Sequence, residues 1–360
     1  MNGRVTLDTE KLESAVIEIK EEPKLTIGSY FTRVGKENIK FIHSGCKLLD
    51  CVLGGGWPLG RISNVVGDKS SGKSLLAMEA CTNFSLTYPS GKIYYMESEA
   101  AFDQDYAAAL GMPVDKIDFI DQDENTVEEF YEILENVIKE HLENKKPGLF
   151  ILDSLDALSD RAELDRKIDE GSYGTGKPKK LSELFRRLVS KVEKTNIHIM
   201  IISQIRENIG VMAGAKYSRS GGKALDFYAS QVLWLKEIKK HKKVSNKIER
   251  IVGIQVEANC KKNKIGLPYR ECEFPIYLGY GVDDITAHIE FLAKTDHVHL
   301  ITDLTDGATT LEGRKISNVI RKIRSMNKED TREAREMLNN AIIETWEEIE
   351  TSFMPEQSKY

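Results

Sequence analysis

The run Gly67-Asp68-Lys69-Ser70-Ser71-Gly72-Lys73-Ser74 sets two glycines, a lysine and a hydroxyl at GxxxxGK[ST] spacing, which is chemistry for holding a chain of phosphates. Gly67 and Gly72 let the backbone curl so that successive N–H groups, those of Asp68, Lys69, Ser70 and Ser71 among them, point inward at phosphate oxygens. A helix beginning near Lys73 and running through Leu75 adds the positive end of its dipole. Lys73 reaches the β- and γ-phosphates, and Ser74 offers a hydroxyl to Mg2+. The apolar run Leu149-Phe150-Ile151-Leu152 ends in Asp153, a carboxylate able to hold that Mg2+ through water. Breaking a phosphoanhydride also needs a group to orient or deprotonate water. The apolar run Ile93–Met96 ends in Glu97-Ser98-Glu99, two carboxylates at the edge where open α/β sheets bind ligands, and either suits the base. The run Ile197–Ile202 ends in Ser203-Gln204, where an amide can sense the γ-phosphate.

These groups work together only if strands and helices deliver them to one edge. Strand-like runs Ile62–Val66, Ile93–Met96, Leu149–Leu152, Ile197–Ile202 and Val232–Leu235 alternate with helical patterns from about Lys73 to Tyr88, over Val127–Leu142 and over Leu181–Lys194. The alternation predicts an α/β core with a mostly parallel sheet flanked by helices, and the GxxxxGK[ST] run between strand and helix makes it a P-loop NTPase core. Residues 1–40 read as an N-terminal arm with a helix (Thr9–Lys20) and an extended stretch (Leu25–Phe31). Residues 41–282 form the core. Residues 283–360 form a small C-terminal α or α+β lobe, with helices at Lys315–Arg324 and Thr331–Glu350. Two segments, Arg161–Lys180 and Ile205–Gly222, lack periodicity and are rich in Gly, Ser and charge, the composition of functional loops.

A chain of 360 residues, 41% hydrophobic, is no disordered tail; at about 150 residues per domain it predicts two domains or one large core with appendages. Its 51 basic and 57 acidic residues leave a net charge of -6, which excludes a histone-like polycation but not a local phosphate-binding face. No run approaches the roughly 18 apolar residues of a membrane helix, and the N-terminus lacks an apolar signal core. Five cysteines (Cys46, Cys51, Cys81, Cys260, Cys272) without CxxC spacing argue against a disulfide framework or zinc site and for a reducing compartment. A soluble intracellular protein with no membrane partner is expected.

Around these motifs the sequence resembles the RecA family of ATP-dependent homologous-recombination proteins. The resemblance is carried by Ser44-Gly45 and Leu53-Gly54-Gly55-Gly56-Trp57-Pro58-Leu59-Gly60-Arg61-Ile62, and by Glu97 to Asp103 with Tyr106 and Leu110-Gly111. It continues through Gln204-Ile205-Arg206, Ile209-Gly210-Val211-Met212, Gly214, Gly221-Gly222, Ala224-Leu225, Phe227 to Ser230, and Lys262-Asn263-Lys264-Ile265 with Pro268. The span is about Lys24 to Asp283. It implies a RecA-like core that uses ATP and Mg2+, single- and double-stranded DNA as partners, and a helical filament with ATP between protomers. Residue by residue it implies Glu99 as the base with Glu97 in support, and Asp103 and Tyr106 beside the adenine. Gln204 would link the γ-phosphate to a DNA loop, Lys262 and Lys264 would reach the neighbouring subunit's ATP, and Phe227 would lie at the subunit interface.

Two basic loops suit DNA on physical grounds as well. The first holds Lys177, Lys179 and Lys180; the second holds Arg206, Lys216 and Arg219, with Ile209 and Met212 between them and Gly221-Gly222 after. Basic side chains neutralise phosphates without reading sequence, while inserted apolar side chains separate stacked bases. Lys236–Lys247 is a further basic stretch, either a solvated hairpin or an addition to a DNA groove. Lys223, Asp226, Trp234 and the more basic Ser172–Lys180 depart from the bacterial pattern, which suggests a phage-encoded or divergent bacterial-type member, placed in the bacterial cytoplasm or an infected host. Single-strand-binding or mediator proteins are further candidate partners. Two rival readings share much of the site: a hexameric RecA-fold motor such as a helicase, and a regulator that binds ATP without turnover. The acidic run Glu344, Glu347, Glu348 and Glu350 either competes with DNA for basic sites or is an exposed helix face.

Overall fold

The computed structural model describes residues 39–99, 102–164, 176–207, 217–219 and 224–355. The N-terminal arm expected over residues 1–40 lies outside the described residues except for its last two. Strand β1 (Phe41–Ile42), helix α1 (Lys47–Leu53) and β2 (Trp57–Pro58) come first, and β1 and β2 pair as a short ribbon. Next are β3 (Ile62–Gly67), α2 (Lys73–Thr87), β4 (Lys92–Glu97), α3 (Gln104–Ala109), β5 (Ile117–Phe119), α4 (Val127–Asn144) and β6 (Gly148–Asp153). They are followed by α5 (Arg161–Leu164), α6 (Gly176–Val192), β7 (Ile197–Glu207), β8 (Tyr217–Arg219) and α7 (Ala224–Tyr228). The chain then runs through β9 (Gln231–Ser245), β10 (Ile248–Asn263), β11 (Arg270–Tyr277), β12 (Gly281–Val282), α8 (Asp284–Lys294), α9 (Arg314–Arg324) and α10 (Lys328–Ser352).

The main sheet has the order β12-β11-β10-β9-β3-β7-β6-β4-β5, with β8 paired to β7. It is parallel from β5 across to β9 and antiparallel from β9 to β12. Strand residues alternate between the two faces, as the two-residue period of a strand requires. In β6, Leu149 and Ile151 join a core shared with α1, α2 and the C-terminal helices, whereas Phe150 and Leu152 join one shared with α4 and α6. The first core runs without a break from Leu49 and Leu53 of α1 through Phe274 of β11 to Ile285, Leu292, Ile320, Leu338 and Ile342 of α8 to α10.

β3 carries the phosphate-loop signature at the middle of the sheet, and buried polar side chains fix it there. Asn64 Nδ2 donates to Ile201 O and Ser203 Oγ of β7, both at 2.8 Å. Ser63 Oγ donates to Gln231 Oε1 of β9 at 2.7 Å, and Gln231 Nε2 donates in turn to Leu53 O and Gly56 O. Buried side-chain bonds of this kind are costly to leave unmade, so they hold the strand in register as well as in place.

Three elements differ from the sequence expectation, each for a physical reason. β7 continues to Glu207 because β8 pairs with it, so residues 205–207 and 217–219 of the expected second loop form an antiparallel ribbon. β9 continues to Ser245 in a hairpin with β10 whose outer part is exposed on both faces, which leaves no apolar alternation to read. The stretch Lys236–Lys247 is thus an exposed β-hairpin arm. α6 starts at Gly176 rather than Leu181, since Pro178 is compatible with a first helical turn, where no intrahelical N–H bond is lost. Lys177, Lys179 and Lys180 therefore sit on a helix and not in a loop. Among the described residues, no helix is long and apolar enough to cross a membrane.

Two buried histidines set a pH dependence of stability. Burial pushes His198 down to about 4, against the opposing pull of Pro58 O, which its Nδ1 contacts at 2.8 Å. Burial likewise pushes His288 down to about 3; Asp50 raises it, while Lys47 and Arg335 lower it further. Leu48 N donates to His288 Nε2 at 3.4 Å, so that nitrogen must be unprotonated. An unfolded histidine takes up its proton near pH 6.5 and the folded one does not, so stability is complete above that pH and falls as the solution is acidified. Each site costs about 1.4 kcal/mol per pH unit from 6.5 down to its folded value, about 4 for His198 and about 3 for His288. Urea unfolding at pH 7 and pH 5 measures the loss, and His198→Gln is expected to flatten it relative to wild type.

Candidate nucleotide and nucleic-acid site

At the end of β3 the chain turns sharply through Asp68–Ser71 into α2. A Cβ on Gly67 would stand 2.9 Å from Leu235 O and closer still to Ser71 Oγ. Gly72 has φ +92°, and a Cβ there would stand 2.5 Å from Ile276 Cδ1. Only glycine fits both positions, and the result is a tight cup. Lys73 Nζ donates to Asp68 O at 2.6 Å and Ser71 Oγ to the same carbonyl at 2.8 Å. Gly72 caps α2 with no side-chain hydrogen bond, and no acid occupies the first turn. The first N–H groups of a helix have no intrahelical partner, so this end of α2 presents donors and positive potential to an anion.

The charges here are strained by burial. Burial pulls Lys73 below the usual lysine range, while Asp153, Asp68, Glu99 and Asp156 pull it back up. Burial also pushes Asp153 above the usual carboxylate range, which hydrogen bonds from Ser74 and Tyr95 and the charge of Lys73 oppose, and Glu99 reinforces. Tyr95 OH donates to Asp153 Oδ2 at 3.0 Å. Ser74 and Asp153 thus share one spot with a hydroxyl and a carboxylate oxygen, the hard donor set that Mg2+ takes. The glycine cup, the open α2 terminus and this oxygen pair together fit a nucleotide triphosphate with its cation.

Glu97 lies opposite Asp153 in the β4–β6 register, so both acids leave the sheet at the same edge. Glu99 Oε1 accepts from Ser154 Oγ at 2.5 Å and from Gln204 Nε2 at 2.7 Å. Glu97 Oε1 accepts from Glu99 N at 2.9 Å. The structure therefore ties Glu99 to the ends of both β6 and β7, and sets Glu97 behind it. Ser154 and Tyr95 were missed as partners by sequence reasoning. Ser154 stood beside Asp153 and could have been noticed; Tyr95 sits inside an apolar run, and only strand register reveals it.

The other expected residues are more spread. Asp103 caps α3, accepting from Tyr106 N at 2.9 Å, and Tyr106 is exposed on the same helix. Phe102 anchors that helix by packing with Tyr95 and Phe119. Lys262 Nζ donates to Asp226 O at 2.5 Å and Phe227 O at 2.9 Å, and Phe227 is 67% exposed. Lys262 pairs with Val232 and Lys264 N bonds Ser230 O, near the start of β9, whereas Leu235 of β9 lies opposite Gly67. At about 3.3 Å per residue, these lysines lie roughly 10 Å or more down the sheet from the phosphate cup of their own subunit.

Of the residues expected to meet DNA, Lys177 Nζ donates to Leu155 O at 2.8 Å and Asp156 O at 3.1 Å, and Lys180 bonds Asp160 and Glu128. Lys179 is exposed. Arg206 stands opposite Ser218, and Arg219 opposite Ile205, in the β7–β8 ribbon. Ile209, Met212, Lys216, Gly221 and Gly222 lie outside the described residues.

The family model of the RecA N-terminal domain matches residues 11–283. The Protein RecA of Borrelia hermsii (strain HS1 / DAH) is 33% identical over 282 residues, 78% of this chain and 73% of that one. That of Trichodesmium erythraeum (strain IMS101) is 31% identical over 259 residues, 72% and 68% of the two chains. That of Francisella tularensis subsp. novicida (strain U112) is 30% identical over 338 residues, 92% and 88%. A shared phosphate loop alone would match a few dozen residues around Gly67; this match takes in every strand from β1 to β12, and so the chain belongs to the RecA family.

Proposed function

We infer that this protein is an ATP-dependent DNA recombinase, a DNA-dependent ATPase that assembles as a filament on single-stranded DNA and pairs homologous strands. The observation that carries it is Glu99 Oε1, which accepts at once from Ser154, next to Asp153, and from Gln204, at the root of the second basic segment. One carboxylate thereby joins the nucleotide edge to the strand that leads to DNA.

In this reading the N–H groups of Asp68 to Ser74 cradle the phosphates, and Lys73 exchanges its bond to Asp68 O for phosphate oxygens. Ser74 and Asp153 hold Mg2+, which supplies positive charge against the developing negative charge on those oxygens. Glu99 takes the proton of the attacking water, with Glu97 holding its main chain. Gln204 reads the γ-phosphate. Asp103 and Tyr106 flank the adenine. Lys262 and Lys264 serve the ATP of a neighbouring subunit, since their place at the end of β10, beside the start of β9, keeps them from their own. Exposed Phe227 beside them suits the same contact. DNA phosphates meet Lys177, Lys179, Lys180, Arg206, Lys216 and Arg219, and Ile209, Met212 and Gly221-Gly222 shape the path of the bases. The cytoplasm is the compartment that goes with this role.

ATP hydrolysis measured with and without single-stranded DNA, beside a strand-pairing assay, tests the reading. Stimulation by DNA with pairing supports it; equal rates with no pairing reject it, and closed rings rather than filaments in electron micrographs would favour the motor. Affinity for single strands is expected to fall with salt, each engaged cation adding about 0.7 to the slope of log K against log salt. Lys179→Ala is expected to remove about one such contact, read as a shallower slope by about 0.7 in a titration between 50 and 200 mM salt.

A further inference from the structure

The turn that follows β6 touches more than the nucleotide edge. Asp156 Oδ2 accepts the main-chain N–H of Gln204 at 2.6 Å, a contact spanning 48 residues of sequence. One residue earlier, Leu155 N donates to Ile202 O at 2.9 Å, so the turn is laced to the end of β7 twice. From the other side, the Lys177 ammonium donates to the carbonyls of Leu155 and Asp156. Four residues further on, Asp160 receives Lys180 at 2.5 Å and lies against Gly176, where any Cβ would collide with its carboxylate. The first turn of α6 is therefore seated on this turn through two lysines and a glycine.

The two elements that meet here are the ones bordering the expected DNA segments. Residues 165–175 immediately precede α6, and residues 208–216 immediately follow β7. We propose that Asp156 is a positioning residue that couples the two DNA-contacting segments to each other and to the γ-phosphate reader Gln204. This rests on the ATPase reading above and adds the route by which DNA binding reaches the site. The Gln204 side chain holds Glu99 while its main chain is held by Asp156. A shift of β7 that carries Gln204 toward or away from a phosphate must therefore move the Asp156 turn, strain the N–H bond to its carboxylate, or break that bond. The turn, in moving, takes the seat of α6 with it through Lys177. A hydrogen bond to a charged acceptor is strong enough to transmit a tenfold or larger change in rate between two states. A residue that served only its own turn would need no partner on β7.

The test is steady-state ATP hydrolysis by the full chain, with and without saturating oligodeoxythymidylate, for wild type, Asp156→Ala and Asp156→Asn. Asp156→Ala is expected to lower the ratio of DNA-stimulated to DNA-free kcat by about tenfold while the DNA-free KM for ATP stays within about threefold. Asp156→Asn keeps an oxygen acceptor for Gln204 N and is expected to hold the ratio within about threefold of wild type. Should Asp156→Ala fail to fold, Asp156→Ser, whose hydroxyl is too short to reach Gln204 N, takes its place with the same expected loss. Wild-type stimulation in the Ala or Ser variant overturns the proposal, as does a parallel loss of DNA-free and stimulated turnover in all variants. If wild type itself shows no stimulation, the recombinase reading fails first, and the two failures are told apart.

Discussion

Replacing Glu99 by Gln is expected to stop ATP turnover while leaving ATP-dependent assembly on DNA intact. The amide is nearly isosteric and keeps an oxygen, so the bonds from Ser154 Oγ and Gln204 Nε2 can both be retained. What disappears is the ability to accept a proton from water. General-base catalysis contributes about 10²–10⁴-fold, so kcat should fall by that factor with and without DNA. The charge change also reaches its neighbours, because Glu99 raises both Asp153 and Lys73. Without it the Asp153 carboxyl moves back toward its ordinary value, which favours the ionised form that a divalent cation needs. Nucleotide affinity should therefore hold or rise, and filaments on single-stranded DNA should persist longer than those of wild type. Turnover in Glu99→Gln within about threefold of wild type would remove Glu99 from the role of base. Glu97→Gln in the same assay separates the two acids: a smaller loss is expected, since Glu97 acts on the main chain of Glu99 and not on water.

The second large effect is at Lys73, where Lys73→Ala should abolish nucleotide binding without unfolding the protein. The ammonium is buried and burial disfavours its charge, so removing it relieves a desolvation cost even as Asp153 loses a compensating charge. Stability without ligand should change little. The ligand-dependent part should vanish. Wild type at nucleotide concentrations 100 times Kd gains about 2.7 kcal/mol against unfolding, and the variant should gain none. Thermal unfolding with Mg2+ and a non-hydrolysable ATP analogue reads this directly. A ligand-induced shift equal to that of wild type would mean that nucleotide is held elsewhere.

Much of the site was legible because its determinants are local. Gly67 to Ser74 declares its conformation within eight residues, and the cup at Gly67 and Gly72 follows from the absence of a Cβ. Apolar runs ending in Asp153, Glu97 or Gln204 declared strands whose polar ends share an edge, and the parallel register brings them there. The pairings among them were not legible. That Glu99 meets Ser154 and Gln204, or that Tyr95 meets Asp153, depends on the order of β4, β6 and β7 across the sheet, which no single segment encodes. Boundaries failed wherever the tertiary partner is polar. Lys177 and Lys180 read as loop cations because their counterparts, the Leu155 and Asp156 carbonyls and the Asp160 and Glu128 carboxylates, come from elsewhere in the chain. Strand β9 beyond Leu235 is stabilised by hairpin pairing with β10 rather than by burial, so hydrophobic period could not find it.

The unbroken core that joins α1 to α8–α10 has a consequence for how this chain comes off the ribosome. Leu49 and Leu53 are finished early in synthesis, yet Leu338 and Ile342 of the same core, on the helix α10 that packs against α1, are made nearly three hundred residues later. Until those helices emerge, the outer side of α1 and the nearby face of β11 remain uncovered, and contacts so far apart in sequence are slow to close. The nucleotide half can gather its parallel strands first, but it cannot bury that surface alone. Nascent chains stalled before α10 should therefore engage holding chaperones and precipitate on release, while chains completed through Ile342 should not.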